Sequence, residues 1–342
     1  MRKRPAASSR TQQLAAFVAV YVIWGSTYLA IRFAIETLPP LLMAATRFLI
    51  AGGLLYGVVR LRGAARPRAV HWRSALVVGG LLLLGGNGGV VLAERTVPSG
   101  LAALLVSTVP IWMALIEWLR PGGRRPRLAV AGGLALGLVG VALLIGPRAF
   151  TAGIGSAGGV LLVLAAALAW ASGSLYSRGA ALPESPLLGN ALEMLAGGAL
   201  LGMVALATGE AGQLHLQSVS LRSALALAYL VIFGSLVAFT AYIWLLRHAP
   251  IARVSTYAYV NPVVAVFLGW AFAGERLTAS TFVAAGVILA AVMLITTFRE
   301  APPGAAGAEA SVARPADAGV GRELDVDMDV EPRPAQPHGT RA

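Results

Sequence analysis

The sequence predicts an all-α polytopic membrane protein: ten transmembrane helices arranged as two inverted five-helix repeats. Three observations predict it. The composition is one that water does not tolerate, ten apolar runs are long enough to span a bilayer, and the second half of the chain repeats landmark residues of the first.

Of 342 residues, 57% are hydrophobic and 12% charged, against about 45–50% and about 25% in a soluble domain. Mean hydropathy is +0.75. Too few charged groups remain to cover a water-facing surface, which excludes a soluble globular enzyme and equally a disordered or fibrous chain. The absence of cysteine removes disulfide frameworks and thiolate metal sites.

A membrane helix needs about 20 mostly apolar residues. Such runs lie at 13–35, 40–60, 74–94, 98–119, 127–146, 155–177, 186–208, 222–246, 250–274 and 278–298, with short connections marked by Pro, Gly or Arg. This divides the chain into a basic start (1–12), a first repeat (13–146), a second repeat (147–298) and a tail (299–342). The tail is rich in Pro, Ala and Gly, has no aromatic residue and carries eight of the fifteen carboxylates, so it is expected to be disordered. Up to residue 298, 22 Lys and Arg face only seven carboxylates: Glu36, Glu94, Glu117, Glu184, Glu193, Glu210 and Glu275. The basic residues collect before the first run (Arg2, Lys3, Arg4, Arg10), after the second (Arg60 to Arg73) and after the fourth (Arg120 to Arg127). Loops of the other parity hold single arginines, so both termini are expected in the cytoplasm. Net charge +12 therefore encodes topology and calls for no nucleic-acid partner.

Self-comparison supplies the two halves. At an offset of 146, Trp24, Ser26 and Arg32 meet Trp170, Ser172 and Arg178, Pro40-Leu41-Leu42 meets Pro186-Leu187-Leu188, Gly52 meets Gly198, and Arg47 falls opposite Glu193. At an offset of 152, Arg95, Pro98, Pro110 and Trp118 meet Arg247, Pro250, Pro262 and Trp270. Five helices are an odd number, so the halves enter the membrane from opposite sides. Inverted repeats are the pattern of secondary transporters, with substrate near the midplane between them.

Candidate binding residues follow from what the membrane penalises. Arg47 and Glu193 lie mid-run, where a lone charge costs several kcal/mol, about 3 or more, and normally faces a cavity or partner. They can hold a substrate carboxylate and an amine; Glu193 is also a candidate carrier of a coupling proton, and an ion pair that fixes packing is the structural alternative. Trp24, Ser26 and Tyr28 in the first run, and Trp170, Ser172 and Tyr176 in the sixth, offer flat apolar faces and short hydroxyls. Asn87 sits within Gly85-Gly86-Asn87-Gly88-Gly89, where a bare backbone allows close approach or a local break. The ninth run carries Ser255, Thr256, Tyr259, Asn261 and Pro262; Pro262 and its mate Pro110 each free a carbonyl one turn earlier. Gly53/Gly57, Gly133/Gly137 and Gly198/Gly202 have the spacing of helix-packing faces.

There is no phosphate-binding G-x-x-x-x-G-K-[ST] loop, no H-E-x-x-H, no paired-acid site and no G-x-S-x-G elbow, so no ATP-driven pump, metal, cofactor or enzyme is read from the chain.

Val22-Ile23-Trp24-Gly25-Ser26-Thr27, the Arg47 helix, Pro98 through Pro110, and Ala258-Tyr259-Val260-Asn261-Pro262 followed by Gly274-Glu275-Arg276-Leu277-Thr278 resemble the EamA-type members of the drug/metabolite transporter superfamily. The resemblance covers residues 13–298. It implies a multi-pass exporter of small metabolites, amino acids or drugs in the cytoplasmic (inner) membrane, with a cavity between the halves and the fifth and tenth helices peripheral. Family members often end each half with a Gly-Glu turn. Here Glu275 fits the second half while the first reads Arg120-Pro121-Gly122-Gly123-Arg124, so Glu275 is read as a structural end cap. The expected function is alternating-access export; the rivals are a passive channel, a membrane sensor and an intramembrane enzyme acting on lipid-linked substrates. Partners are a small-molecule substrate, the lipid bilayer and a candidate coupling proton. Oligomeric state stays open, since glycine faces suit intramolecular packing as readily as a dimer.

Overall fold

The computed structural model describes residues 10–121, 123, 126–151, 154–249, 251–254 and 256–298. The residues 1–9, Gly122, Arg124, Arg125, Pro250, Ser255 and the tail 299–342, for which the sequence sets expectations, lie outside them. Ten main helices follow in order: α1 (Arg10–Ala34), α2 (Pro40–Leu61), α3 (Ala69–Ala93), α4 (Ser99–Leu119), α5 (Leu128–Thr151), α6 (Ile154–Ser177), α7 (Pro186–Ala207), α8 (Leu221–Leu245), α9 (Tyr257–Ala273) and α10 (Ala279–Phe298). Eight are long and apolar enough to cross a membrane; α9 and the apolar stretch of α5 are shorter. Among the described residues there is no strand. Large apolar side chains such as Leu54, Leu161, Phe267, Trp270 and Phe282 are exposed, as expected of a surface that meets lipid.

The helix ends are written in the sequence. Pro40 and Pro186 open α2 and α7 at a position where a missing N–H costs nothing. Just beyond the same two helices, Gly63 and Gly209 take φ of 86° and 75°, a left-handed turn that suits glycine. All four are repeat mates at the 146 offset.

The halves meet through α2 and α7, and the contact is reciprocal. A Cβ on Gly52 would lie 3.0 Å from the Leu195 backbone N, and one on Gly198 would lie 3.0 Å from the Leu49 backbone N. Leu49 and Leu195 are themselves mates at the 146 offset, so the contact obeys the internal two-fold. The principal core fills the space around it with Ile31, Met43, Phe48, Leu83, Met194, Leu201 and Leu230, drawn from α1, α2, α3, α7 and α8. Helices α5 and α10 pack on each other through Gly133 against Ile295 and Gly140 against Ile288.

One packing expectation is corrected. Gly53 and Gly57 have open space where a Cβ would be, and Gly202 makes only ordinary contact with Ala45 at 3.8 Å. The apolar stripe of α2 that meets α7 passes through Gly52, one residue over from the spaced pair.

Three helices carry wide π-type turns: Ala19–Ile23 in α1, Gly80–Gly88 in α3 and Leu230–Val237 in α8. Such turns are rare and concentrate at functional sites. The 152 offset carries the α3 segment onto 232–240, overlapping the α8 segment, so both halves are loosened at equivalent depth. Helix α4 breaks at Ser107-Thr108, whose hydroxyls donate to the carbonyls of Leu104 and Leu105 at 2.6 Å each, and it restarts with Pro110 in its first turn. Around α9 the break lies before Tyr257, while Pro262 sits inside a continuous helix.

Candidate functional site

Arg47 points from α2 at the π-type segment of α8. It is 6% exposed; its Nε donates to Ser235 Oγ at 2.9 Å and its guanidinium lies 4.7 Å from the ring centre of Phe48. Gly234 makes room for it, since a Cβ there would stand 3.2 Å from Arg47 Nη2. Among the described residues no carboxylate forms an ion pair with Arg47. A buried guanidinium held only by a hydroxyl and a ring keeps most of its capacity to attract an anion.

Trp24 reaches the same segment from α1, its Nε1 donating to the Gly234 carbonyl at 3.3 Å. Its ring centre lies 5.2 Å from those of Phe239 and Tyr242 and 5.3 Å from that of Tyr257, which makes an aromatic wall. Edge-on and tilted pairs of this kind are the favoured ring geometries. Ser26 Oγ and the Tyr229 hydroxyl share a hydrogen bond of 2.7 Å. Asn261 is buried beside this wall; with its amide oriented to satisfy both ends, it donates to the carbonyls of Tyr257 and Tyr21 at 3.2 Å each.

A second group forms on the α3 segment. The Trp170 ring covers Gly86 so closely that a Cβ there would lie 2.7 Å from Cε3, and half-buried Asn87 follows next in sequence. Glu193 is half-buried on α7, whose backbone meets α3 at Gly79: a Cβ on Gly79 would lie 2.6 Å from the Glu193 carbonyl. Its side chain makes no hydrogen bond or ion pair among the described residues. Arg47 on α2, set against α8, and Glu193 on α7, set against α3, thus occupy equivalent places in the two halves, and they do not pair with each other.

The remaining candidates lie elsewhere. Tyr28 packs at the other end of α1, on the cluster of Ala93, Val97 and Val163. Ser172 donates to the Leu168 carbonyl of its own helix at 2.8 Å. Tyr176 is 46% exposed near the end of α6. Tyr259 hydrogen-bonds Thr296 of α10.

Several polar contacts involve residues outside the predicted binding set. Glu275 accepts from Ser99 N at 2.6 Å, Ser99 Oγ at 2.7 Å and Gly100 N at 3.0 Å, so it caps the start of α4, and Arg32 Nε approaches it to 3.9 Å. The end-cap reading of Glu275 agrees with this, but the helix capped belongs to the other half. Glu210 accepts from Leu42 N at 2.9 Å at the start of α2. Arg222 pairs with Glu36 at 3.2 Å over the ring of Phe33, and Arg178 pairs with Glu117 at 3.0 Å. In the sequence, the end-cap reading of Glu275 and the Arg32/Arg178 repeat match hint at these.

The fold and site define a polytopic membrane protein of the inverted-repeat transporter class. The chain matches the EamA-like transporter family twice, over residues 13–146 and 157–297. It is 42% identical over 283 residues to the inner membrane transporter YedA of Escherichia coli K12, covering 82% of this chain and 89% of that one. It is 29% identical over 303 residues to the transporter YvbV of Bacillus subtilis, covering 87% and 95%. A solved structure titled "Crystal structure of protein" superposes with a TM-score of 0.58 at 22% identity, covering 86% of this chain and all of that one, which supports the fold. The chain belongs to the EamA-like transporter family and is a multi-pass transporter of the inner membrane.

Proposed function

We propose that this transporter is a secondary carrier that exports small amphipathic metabolites, amino acids or drugs by alternating access, with both termini in the cytoplasm. The observation that carries the reading is Arg47: a buried cation without a carboxylate partner, set against a wide-turn segment that has an equivalent in the other half. In this reading Arg47 receives the anionic group of the solute and the wall of Trp24, Phe239, Tyr242 and Tyr257 receives its apolar body. Glu193, Asn87 and Trp170 on the opposite half receive an amine or other donor. Ser26 and Asn261 hold the first wall in place. Wide turns supply backbone that can repack as the halves rock, at a depth where irregular backbone is tolerated only inside protein or beside water. No cofactor and no catalytic step enters the cycle.

The test is counterflow in proteoliposomes with a panel of amino acids and cationic drugs. A carrier gives saturable uptake that a trans solute accelerates, and Arg47→Met abolishes it for anionic and zwitterionic solutes. Flux that never saturates makes the protein a channel. Absence of saturable flux for every solute overturns the reading. Cysteines introduced singly into this cysteine-free chain at Gly63 and Gly209 report the topology: a membrane-impermeant maleimide applied to intact cells should label the second and spare the first.

A further inference from the structure

At the end of α3 stands a carboxyl group that the proposed solute site does not use. Glu94 is 1% exposed, and among the described residues neither of its carboxyl oxygens has a hydrogen-bond partner. It follows Ala93, the last residue of the membrane-crossing helix. Beside it, Ala93, Val97, Val160 and Val163 form an apolar bed.

Every element packed around Glu94 bears on its charge. From α1 come the Tyr28 phenol and the Arg32 guanidinium, and from the α9–α10 connection comes the Glu275 carboxylate. The start of α4 offers Ser99, already committed to Glu275. Helix α6 has no titratable residue before Tyr176, far along the helix, and neighbouring Arg95 and Arg276 are exposed. Burial, and then Glu275, push the Glu94 carboxyl well above the usual carboxylate range, with Arg32 opposing.

The two acids have opposite surroundings. Glu275 accepts three hydrogen bonds, two of them from backbone N–H groups at a helix start, and has Arg32 at 3.9 Å; its negative charge is provided for. Glu94 has none of these. When two neighbouring acids are held so differently, the proton resides on the unsupported one. Gly269 keeps the arrangement tight, since a Cβ there would collide with Glu275 Oε2.

We propose that Glu94 is the proton-binding residue of this transporter, and that its ionisation releases Glu275 from the start of α4. The inference rests on the carrier reading only for its place in a cycle. Neutral Glu94 leaves Arg32 to Glu275 and the α4 start stays latched. When the Glu94 O–H bond breaks, the proton passes to water on the outer side and the electron pair stays on the carboxylate. Two negative groups then share one arginine, Arg32 shifts toward Glu94, and the bonds from Ser99 and Gly100 to Glu275 weaken. This places proton exchange at the outer gate and leaves Glu193 to the solute.

The test uses the full chain in lipid nanodiscs and the proton as the probe. An infrared pH titration should show the carbonyl stretch of a buried acid that disappears as pH rises. The band should be missing in Glu94→Gln, retained in Glu193→Gln and moved to a new midpoint in Glu94→Asp. Hydrogen exchange corrected for intrinsic rates should show protection of the segment 97–103 falling about tenfold or more over the same titration, a change of about 1.4 kcal/mol, and staying constant in Glu94→Gln. An acid band unchanged in Glu94→Gln, or one lost only in Glu193→Gln, overturns the proposal, as does pH-independent protection in the native chain. If Glu94→Gln does not fold, the midpoint in Glu94→Asp decides: a shift supports the assignment and an unmoved band refutes it. Neither measurement needs a transported solute, so failure here leaves the counterflow result standing, and the converse holds.

Discussion

Replacing Gly52 by Ala tests whether the reciprocal α2–α7 contact holds the halves together. The new methyl would stand 2.9 Å from Met194 Cβ, 3.0 Å from Leu195 N and 3.1 Å from Leu195 Cγ. Carbon contacts are comfortable at about 3.5–4.0 Å, so the helices must separate by roughly half an ångström or more, and backbone is among the atoms that must move. Overpacking of this kind costs about 1–3 kcal/mol, against a helix-propensity gain of about 1 kcal/mol for removing a glycine. The net expectation is a loss of up to about 2 kcal/mol, which lowers the melting midpoint by as much as several degrees at about 2–4 °C per kcal/mol. Gly198→Ala meets Leu49 at the same 3.0 Å and should cost the same. The double variant should cost less than the two together, because one separation relieves both clashes. Gly53→Ala, one residue away and facing open space, should be neutral or stabilising. Thermal unfolding of purified protein in one detergent, followed by size-exclusion chromatography, measures all four. If Gly53→Ala lowers the midpoint as far as Gly52→Ala, position on the helix is irrelevant and the proposed contact is not what holds α2 to α7.

The other expectations concern charge. Glu94→Gln should stabilise the protein by about 1–3 kcal/mol at pH 8 and by little at pH 5: a carboxyl raised by burial loses its stability contribution as pH climbs from the unfolded value toward the folded one, and Gln does not titrate; melting curves at the two pH values check it. Arg47→Met should raise stability by about 1–4 kcal/mol, because an apolar isostere replaces a buried charge without an ionic partner, while counterflow of anionic solutes is lost; a destabilised variant would mean the guanidinium is structural. Glu275→Ala should cost about 3 kcal/mol or more, since two buried backbone N–H groups and the Ser99 hydroxyl lose a charged acceptor. Chemical denaturation in detergent would detect this, and an unchanged midpoint would show that water replaces the carboxylate freely.

The sequence made the scaffold legible because lipid leaves the backbone few options: ten apolar runs must be helices. The two-fold was legible because Gly52, Gly198, Pro40 and Pro186 do the same physical work in both halves. Arg47 stood out as an intramembrane charge, but its partner did not, since Ser235 lies 188 residues away in a run with no polar neighbour to flag it. Tyr259 and Ser172 looked like lining residues because residue type says nothing of direction; one bonds α10 and the other its own helix. The Glu94–Glu275 site was invisible for the same reason. Glu275 reaches Ser99 across 176 residues, and Glu94 earns notice only once burial strips it of partners.

The two ends of the molecule are not equally fastened, and this bears on direction. Repeat mates Arg32 and Arg178 each reach a glutamate of the opposite half, so the inverted repeat supplies one ion pair at each end. The Arg178–Glu117 pair is 3.0 Å long, with the two side chains 48% and 28% exposed; such a pair is worth about 0–1 kcal/mol. Its counterpart at the other end is longer, at 3.9 Å, yet Glu275 there also holds two backbone N–H groups. Ser223 donating to the Phe33 carbonyl at 2.8 Å and Ser220 N donating to Thr37 Oγ1 at 3.1 Å add further bonds between the halves at that end. The difference is written in the sequence: the 152 offset carries Glu275 onto Gly123, so the first half has no carboxylate to latch the start of its partner helix. In the proposed cycle the cytoplasmic end therefore parts first and the outer end stays shut until a charge event loosens it. A carrier that opens readily inward and needs proton loss to open outward loads its solute from the cytoplasm, which is the order that export requires.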